Sequence, residues 1–269
     1  MSADGSGCGV VERTENAVLW ITLDRPEVMN AVTGEQRERI ISLLDGASGD
    51  PDVRAVVLTA TGRGFCAGAD LRGASAAPPG ERIAGGVARV IRRGAQRLIA
   101  AVLDCEKPVI AAVNGTAAGI GAHLALACDL VIAAEEARFI EVFVRRGLVP
   151  DGGGAYLLPR LIGPQRAKEL MFFGDSLPAA DAERLGLVNR VVPGDALERT
   201  AREWAERLAR GPTRTLALTK QLVNASLETD RAGAFAAEAA AQEITMTTAD
   251  AAEGVTSFLE RRPPVYRGR

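Results

Sequence analysis

Residues 107–135 read KPVIAAVNGTAAGIGAHLALACDLVIAAE, and this stretch decides the fold. Its first part, 109–113, is a short continuous apolar run of the kind found in a strand covered on both faces. A glycine-rich turn follows at 114–121, then an apolar helix through 123–128 and another buried strand at 130–133. Residues 54–71, RAVVLTATGRGFCAGADL, open in the same way, with a β-branched run at 54–60 leading into a glycine-rich turn. Further out, 18–23 (VLWITL) reads as a strand, and 34–44 reads as a helix introduced by Thr33. Residues 72–86, rich in Ala, Gly and Pro, read as a loop, and 87–103 as a helix with Val90, Ile91, Leu98 and Val102 on one side. Strand and helix thus alternate, which predicts an α/β core with its ligand at the carboxyl ends of the strands. Beyond Pro193 the segments 197–208, 213–227 and 231–260 are helical in period. The expected organisation is a tail at 1–9, a core at 10–196 and a helical region at 197–269.

Several classes of function are excluded early. The 269 residues are 47% hydrophobic and 25% charged, the balance of an ordinary globular chain. A net charge of −2 gives no global positive field, so neither nucleic acid nor an anionic membrane is an expected partner. Residues 108–128 contain no Asp, Glu, Lys or Arg and reach the length of a membrane span. Pro108, Asn114, Gly115, Gly119 and Gly121 break that run into pieces whose backbone lipid would leave unpaired. Cys8, Cys66, Cys105 and Cys128 are far apart, with a single His, so no metal site is expected and reduced cytoplasmic thiols are. The small, polar N-terminus has neither the basic start nor the apolar run of an export signal.

The chemistry has to come from the two glycine-rich turns. No nucleophile elbow and no Walker motif is present, and Gly62-x-Gly64-x-x-x-Gly68 is one residue too long for a dinucleotide fingerprint. Glycine lets backbone approach a ligand, and at a helix start the unpaired N–H groups point outward with the positive end of the helix dipole behind them. Two such amides can hold one oxygen on which charge develops. The alternative is that these glycines only make tight turns.

Five blocks carry a family resemblance: VLWITLDRPEVMNAVT (18–33), VRAVVLTATGRGFCAGADL (53–71), KPVIAAVNGTAAGIGAHLALACDLVIAAEEARF (107–139), GLVPDGGGAYLLPRLIG (147–163) and AERLGLVNRVVP (182–193). Together they resemble the enoyl-CoA hydratase/isomerase (crotonase) superfamily across about residues 10–265. The resemblance implies a spiral of ββα units, a C-terminal helical trimerisation region giving homotrimers or homohexamers, and an acyl-CoA thioester as substrate. CoA is then part of the substrate, and no separate cofactor is expected. It also implies that the amides of Ala69, after Gly68, and Ile120, between Gly119 and Gly121, form an oxyanion hole. Arg25, Ala67, Asp70 and Leu71 would line the place of the CoA nucleotide, while Phe258, Tyr266 and Arg267 would reach the CoA of a neighbouring subunit.

The departures from the family matter as much. Its hydratases manage a water with two glutamates, and the matching positions here are His123 and Phe143. Phenylalanine moves no proton, so the usual two-carboxylate hydration is not expected. Glu141 lies nearby, with a surface carboxylate as its expected state. Asp151, in VPDGGG, stands where family isomerases place an aspartate, and GLVPDGGGAYLLPR is similar to ring-epoxide isomerases. One carboxylate suffices to move a proton beside a thioester whose enolate oxygen rests in the hole. The alternative for Asp151 is a helix N-cap. His123 is either a proton-transfer group facing the acyl chain or a satisfied core residue. The preferred activity is isomerisation through Asp151. Hydration by an altered set of residues, acyl-CoA binding without chemistry, and a dinucleotide oxidoreductase remain as alternatives.

Overall fold

A computed structural model of the protein describes residues 8–72 and 84–269. The chain opens with two antiparallel strands, β1 (Val10–Glu15) and β2 (Val18–Leu23), followed by helix α1 (Gly34–Gly49). Thr33 caps α1 through a capping box with Gln36, whose side-chain amide also donates to the Gly9 carbonyl. Strand β3 (Ala55–Ala60) is followed by the three-residue strand β4 (Gly64–Cys66) and by helices α2 (Gly86–Arg93) and α3 (Ala95–Asp104). The second unit runs β5 (Val109–Val113), β6 (Thr116–Ala118), α4 (Ile120–Leu126), and the third runs β7 (Leu130–Ala134), β8 (Arg138–Ile140), α5 (Gly154–Phe173). Strand β9 (Ser176–Pro178), helix α6 (Ala179–Arg184) and strand β10 (Arg190–Val192) lead into helices α7 (Leu197–Ala209), α8 (Thr213–Ala225), α9 (Arg231–Met246) and α10 (Ala249–Glu260).

The strands sort into two sheets, in the orders β1-β2-β3-β5-β7-β10 and β4-β6-β8-β9. Each unit places its first strand in the large sheet and its second in the small one, and the pairs β3–β5, β5–β7, β4–β6 and β6–β8 are all parallel. The result is a spiral of ββα turns. Side-chain alternation in the large sheet is complete: Val56, Val109, Ala111 and Val131 enter the main core, while Val57, Ile110 and Ile132 enter a second core under Ala201 and Ala205 of α7. That is why these strands read as unbroken apolar runs. The helical region therefore starts as a cover for the sheet.

Three sequence expectations change. The helix expected over 87–103 is two helices meeting at Gly94, whose φ −109° and ψ −99° are non-helical; a Cβ there would lie 2.6 Å from the Val90 carbonyl oxygen and 3.0 Å from Cζ of Arg37, so this junction needs glycine. The helix expected over 231–260 is interrupted at Thr248, which caps α10 by accepting from the Ala251 amide. Helix α4 begins at Ile120, three residues before the expected start. Residues 1–7 of the tail expected at 1–9, and residues 73–83 of the 72–86 loop, lie outside the described residues. Among the described residues no helix is long and apolar enough to cross a membrane.

Candidate active site

The two glycine-rich turns come together where the small sheet meets the starts of its helices. The segment after β4 is strapped along residues 29–32: the Ala67 amide donates to Met29, Val32 to Gly68, and Asp70 to Val32. This ladder uses the neighbours of Ala69, and Ala69 N–H has no acceptor among the described residues. The strap is anchored by Asn30, buried in a left-handed conformation, whose side chain accepts from Arg25 N and donates to the carbonyls of Thr61 and Gly64. On the second turn the Gly119 amide donates to Ile140, and Ile120 opens α4 with its own N–H unpaired among the described residues.

Close approach requires glycine at two of these positions. Gly119 has φ +54°, and a Cβ there would lie 3.2 Å from Cγ2 of Val142 and 3.6 Å from the Phe143 ring. At Gly121 a Cβ would fall 2.2 Å from the Cys66 carbonyl oxygen, so only hydrogen lets α4 seat against β4. Ala67, Gly68, Ala69, Gly119 and Ile120 all line one cleft of about 150 Å³. The two residues expected to supply the amides thus line a shared space.

Asp151 lines the same cleft. It is brought there by Gly152, in a left-handed conformation, where a Cβ would lie 2.2 Å from Cδ1 of Ile120 and 3.4 Å from Cβ of Ala95. The turn carrying the carboxylate is therefore packed directly on the residue that offers the second amide. Asp151 does not cap α5: Gly153 occupies the cap position with no side-chain hydrogen bond. Its carboxyl is half-buried, and burial pushes its pKa above the ordinary value of 3.8, with the neighbouring His123 pulling the other way. Val142, Phe143, Leu98 and Leu148 give the cleft its apolar wall, and Arg37 and Arg146 line it as cations. Burial raises the Cys66 thiol to about 11, which keeps this neighbour protonated and a poor nucleophile.

His123 is fully buried and does not line the cleft. Its Nε2 donates to both carboxylate oxygens of Glu141, at 3.1 and 3.0 Å. Its ring stacks on Phe143, with centroids 5.4 Å apart and planes 10° from parallel, while Nδ1 is buried without a partner. Gly154 also presses on the ring, where a Cβ would lie 2.1 Å from Nε2. The expected surface carboxylate at Glu141 is corrected: only 4% of the residue is exposed, and both its oxygens face the imidazole. Phe143 stands between this pair and the cleft by touching both.

The residues expected around the CoA nucleotide also gather. Arg25 donates to Asp70 at 3.2 Å and to the Ala31 carbonyl, and Asp70 takes a second ion pair from Arg72 at 2.7 Å. The Arg72 and Arg25 guanidinium groups hold the Asp70 carboxyl well below the usual carboxylate range. Leu71 is exposed beside them and lines the cleft. Phe258, Tyr266 and Arg267 lie elsewhere in this chain. Phe258 is exposed on α10, the Tyr266 carbonyl accepts from Arg54, and the Arg267 amide donates to Asp250. Arg37, Arg146, Leu148 and Ala95 were not foreseen, since nothing in an amphipathic helix or a short turn marks which exposed positions face a ligand.

The family model for enoyl-CoA hydratase/isomerase matches residues 13–269. The chain belongs to the enoyl-CoA hydratase/isomerase family. It is 43% identical to a Rhodobacter capsulatus protein named "Probable enoyl-CoA hydratase", over 93% of this chain and 94% of that one. It is 38% identical to the 1,2-epoxyphenylacetyl-CoA isomerase of Escherichia coli, over 97% of this chain and 98% of that one. A solved enoyl-CoA hydratase/isomerase structure from Cupriavidus metallidurans superposes with a TM-score of 0.90 at 37% identity, covering 100% of this chain and 98% of that one. The resemblance read from the five blocks and the crotonase fold it implied are both found, and the family's acyl-CoA chemistry comes with them.

Proposed function

We propose that this protein isomerises an unsaturated or ring-epoxide acyl-CoA, with Ala69 and Ile120 holding the thioester oxygen and Asp151 moving the proton. The observation that carries the reading is that Asp151 is the one carboxylate lining the cleft among the described residues, on a turn packed against Ile120. For an enoyl substrate, the ionised carboxylate takes a proton from carbon, the electron pair moves into the thioester, and the resulting enolate oxygen rests between two amides. The carboxylic acid so formed exchanges its proton with solvent and delivers one to a different carbon, so the double bond moves and nothing is oxidised or reduced. One such amide is worth about 3 kcal/mol of barrier. A carboxyl with raised pKa, in an apolar wall, is a stronger base once ionised than a solvated one.

Hydration is the second reading, favoured by the name of the Rhodobacter relative. It would need water held by Asp151 alone, because position 143 is Phe and His123 is engaged with Glu141. We further propose a cytoplasmic homotrimer or homohexamer, supported by apolar side chains left exposed on α5, α9 and α10, including Phe172, Phe235 and Phe258. In such an assembly Phe258, Tyr266 and Arg267 would serve a neighbour's CoA, and no cofactor beyond the substrate's own CoA is required.

The test is incubation with unsaturated and ring-epoxide CoA thioesters in deuterated water. Isomerisation requires double-bond migration or ring rearrangement, with deuterium entering at carbon, and both must be lost in Asp151→Asn. Net addition of water would establish hydration instead. Tight binding with neither exchange nor product would make the protein a carrier.

A further inference from the structure

The cleft holds more positive charge than proton transfer at Asp151 requires. Arg37, from α1, and Arg146, from the short 3-10 turn Val142–Arg146, both line it, against the single carboxylate of Asp151. Among the described residues Arg146 has no ion pair. Among those same residues Arg37 reaches only Glu38, at 3.8 Å, and its Nε–H is buried with no acceptor. Arg25 is the contrast: its guanidinium is occupied by Asp70, the Ala31 carbonyl and Gln36, and it does not line the cleft.

The position of Arg37 is also fixed. Its guanidinium lies against Gly94, where a Cβ would be 3.0 Å from Cζ and Nη1. The next residue, Ala95, lines the cleft and meets Gly152 beside Asp151. Arg37 is thereby tied, through Gly94 and Ala95, to the part of the cleft wall that meets the Asp151 turn. A buried guanidinium N–H without an acceptor is unfavourable, and an anionic oxygen supplied by a ligand would relieve it.

Resting on the isomerase reading above, we propose that Arg37 and Arg146 bind a carboxylate at the far end of the acyl chain, so that the substrate class is the mono-CoA thioester of a dicarboxylic acid. A CoA phosphate offers the same anionic oxygens, and the test separates the two sources.

Saturated ligands remove chemistry from the measurement. The CoA thioester of adipic acid and that of its methyl monoester are titrated calorimetrically into the intact protein. The acid is expected to bind at least about tenfold more tightly, the scale of a hydrogen bond to a charged group. That preference is expected to collapse in Arg37→Met and in Arg146→Leu, with circular dichroism checking that each variant is folded. Equal affinities in the wild type, or a preference that survives both substitutions, would overturn the assignment while leaving acyl-CoA binding intact. The pantetheine thioesters, which lack the nucleotide phosphates, form the second arm. If the substitutions weaken both CoA ligands alike and neither pantetheine ligand, the arginines hold phosphate and the carboxylate assignment is overturned. Failure of every thioester to bind would remove the isomerase reading and this inference together.

Discussion

Replacing His123 by Leu isolates the energetics of the buried pair behind the cleft. The substitution leaves the Glu141 carboxylate, 4% exposed, without the imidazole that both its oxygens engage. Breaking a buried pair in this way costs about 3–5 kcal/mol. The same substitution also removes Nδ1, buried and unpartnered, whose burial costs about 1–3 kcal/mol, so the expected net loss is about 2 kcal/mol. Glu141→Leu is expected to cost about 1–3 kcal/mol, because Nε2 then joins Nδ1 as an unsatisfied buried nitrogen. The double variant has neither group and should recover to within about 1 kcal/mol of the wild type. Urea unfolding followed by the fluorescence of the two tryptophans, Trp20 and Trp204, measures all four corners of the cycle. The predicted coupling is at least about 2 kcal/mol. Strictly additive losses, or a His123→Leu protein as stable as the wild type, would refute the account of this pair.

Three more outcomes follow from the same geometry. Gly121→Ala puts a methyl group 2.2 Å from the Cys66 carbonyl, which must push α4 and the Ile120 amide away from the first turn. Turnover should fall by about a hundredfold or more, the cost of losing one oxyanion donor, with a much smaller change in thioester affinity. Because burial raises the Asp151 pKa, the folded state binds that proton more tightly than the unfolded state does. Its contribution is present at low pH and lost as pH rises through the folded pKa, so Asp151→Asn should be more stable than the wild type at pH 7. The advantage should fade as pH falls, and thermal melts across pH measure it. For the same reason kcat/KM should rise through an acid limb lying above 3.8.

The central strands of the large sheet, β2, β3, β5 and β7, were legible because they are buried on both faces and read as continuous apolar runs, while β1 and β10 at its edges, largely exposed, were not. The small sheet was not: β4, β6 and β8 have three residues each, too few for any period to show. Helix α5 was hidden by its own composition, since Pro159, Gly163 and Pro164 stand inside it and Gly163 kinks it with φ 77° and ψ 159°. The two glycine-rich turns could be read from the residues, because glycine spacing after a strand is a local signal, whereas singling out Ala69, Ile120 and Asp151 needed the family resemblance. The partner of His123 could not. An imidazole in a run without charges demands a partner, but which carboxylate folds onto it depends on the turn after β8. Arg37 reads as one more polar residue of an amphipathic helix, and only the approach of Gly94 shows that its guanidinium faces the cleft.

The claim on which the rest depends is that one thioester carbonyl is bound by two backbone amides from separate turns. A crystal structure with a non-reactive acyl-CoA thioester measures it directly. The account predicts the carbonyl oxygen within about 3 Å of both Ala69 N and Ile120 N, with a carboxylate oxygen of Asp151 facing the carbons next to the thioester. A carbonyl oxygen bound to water or to a side chain, with either amide turned away, would contradict it.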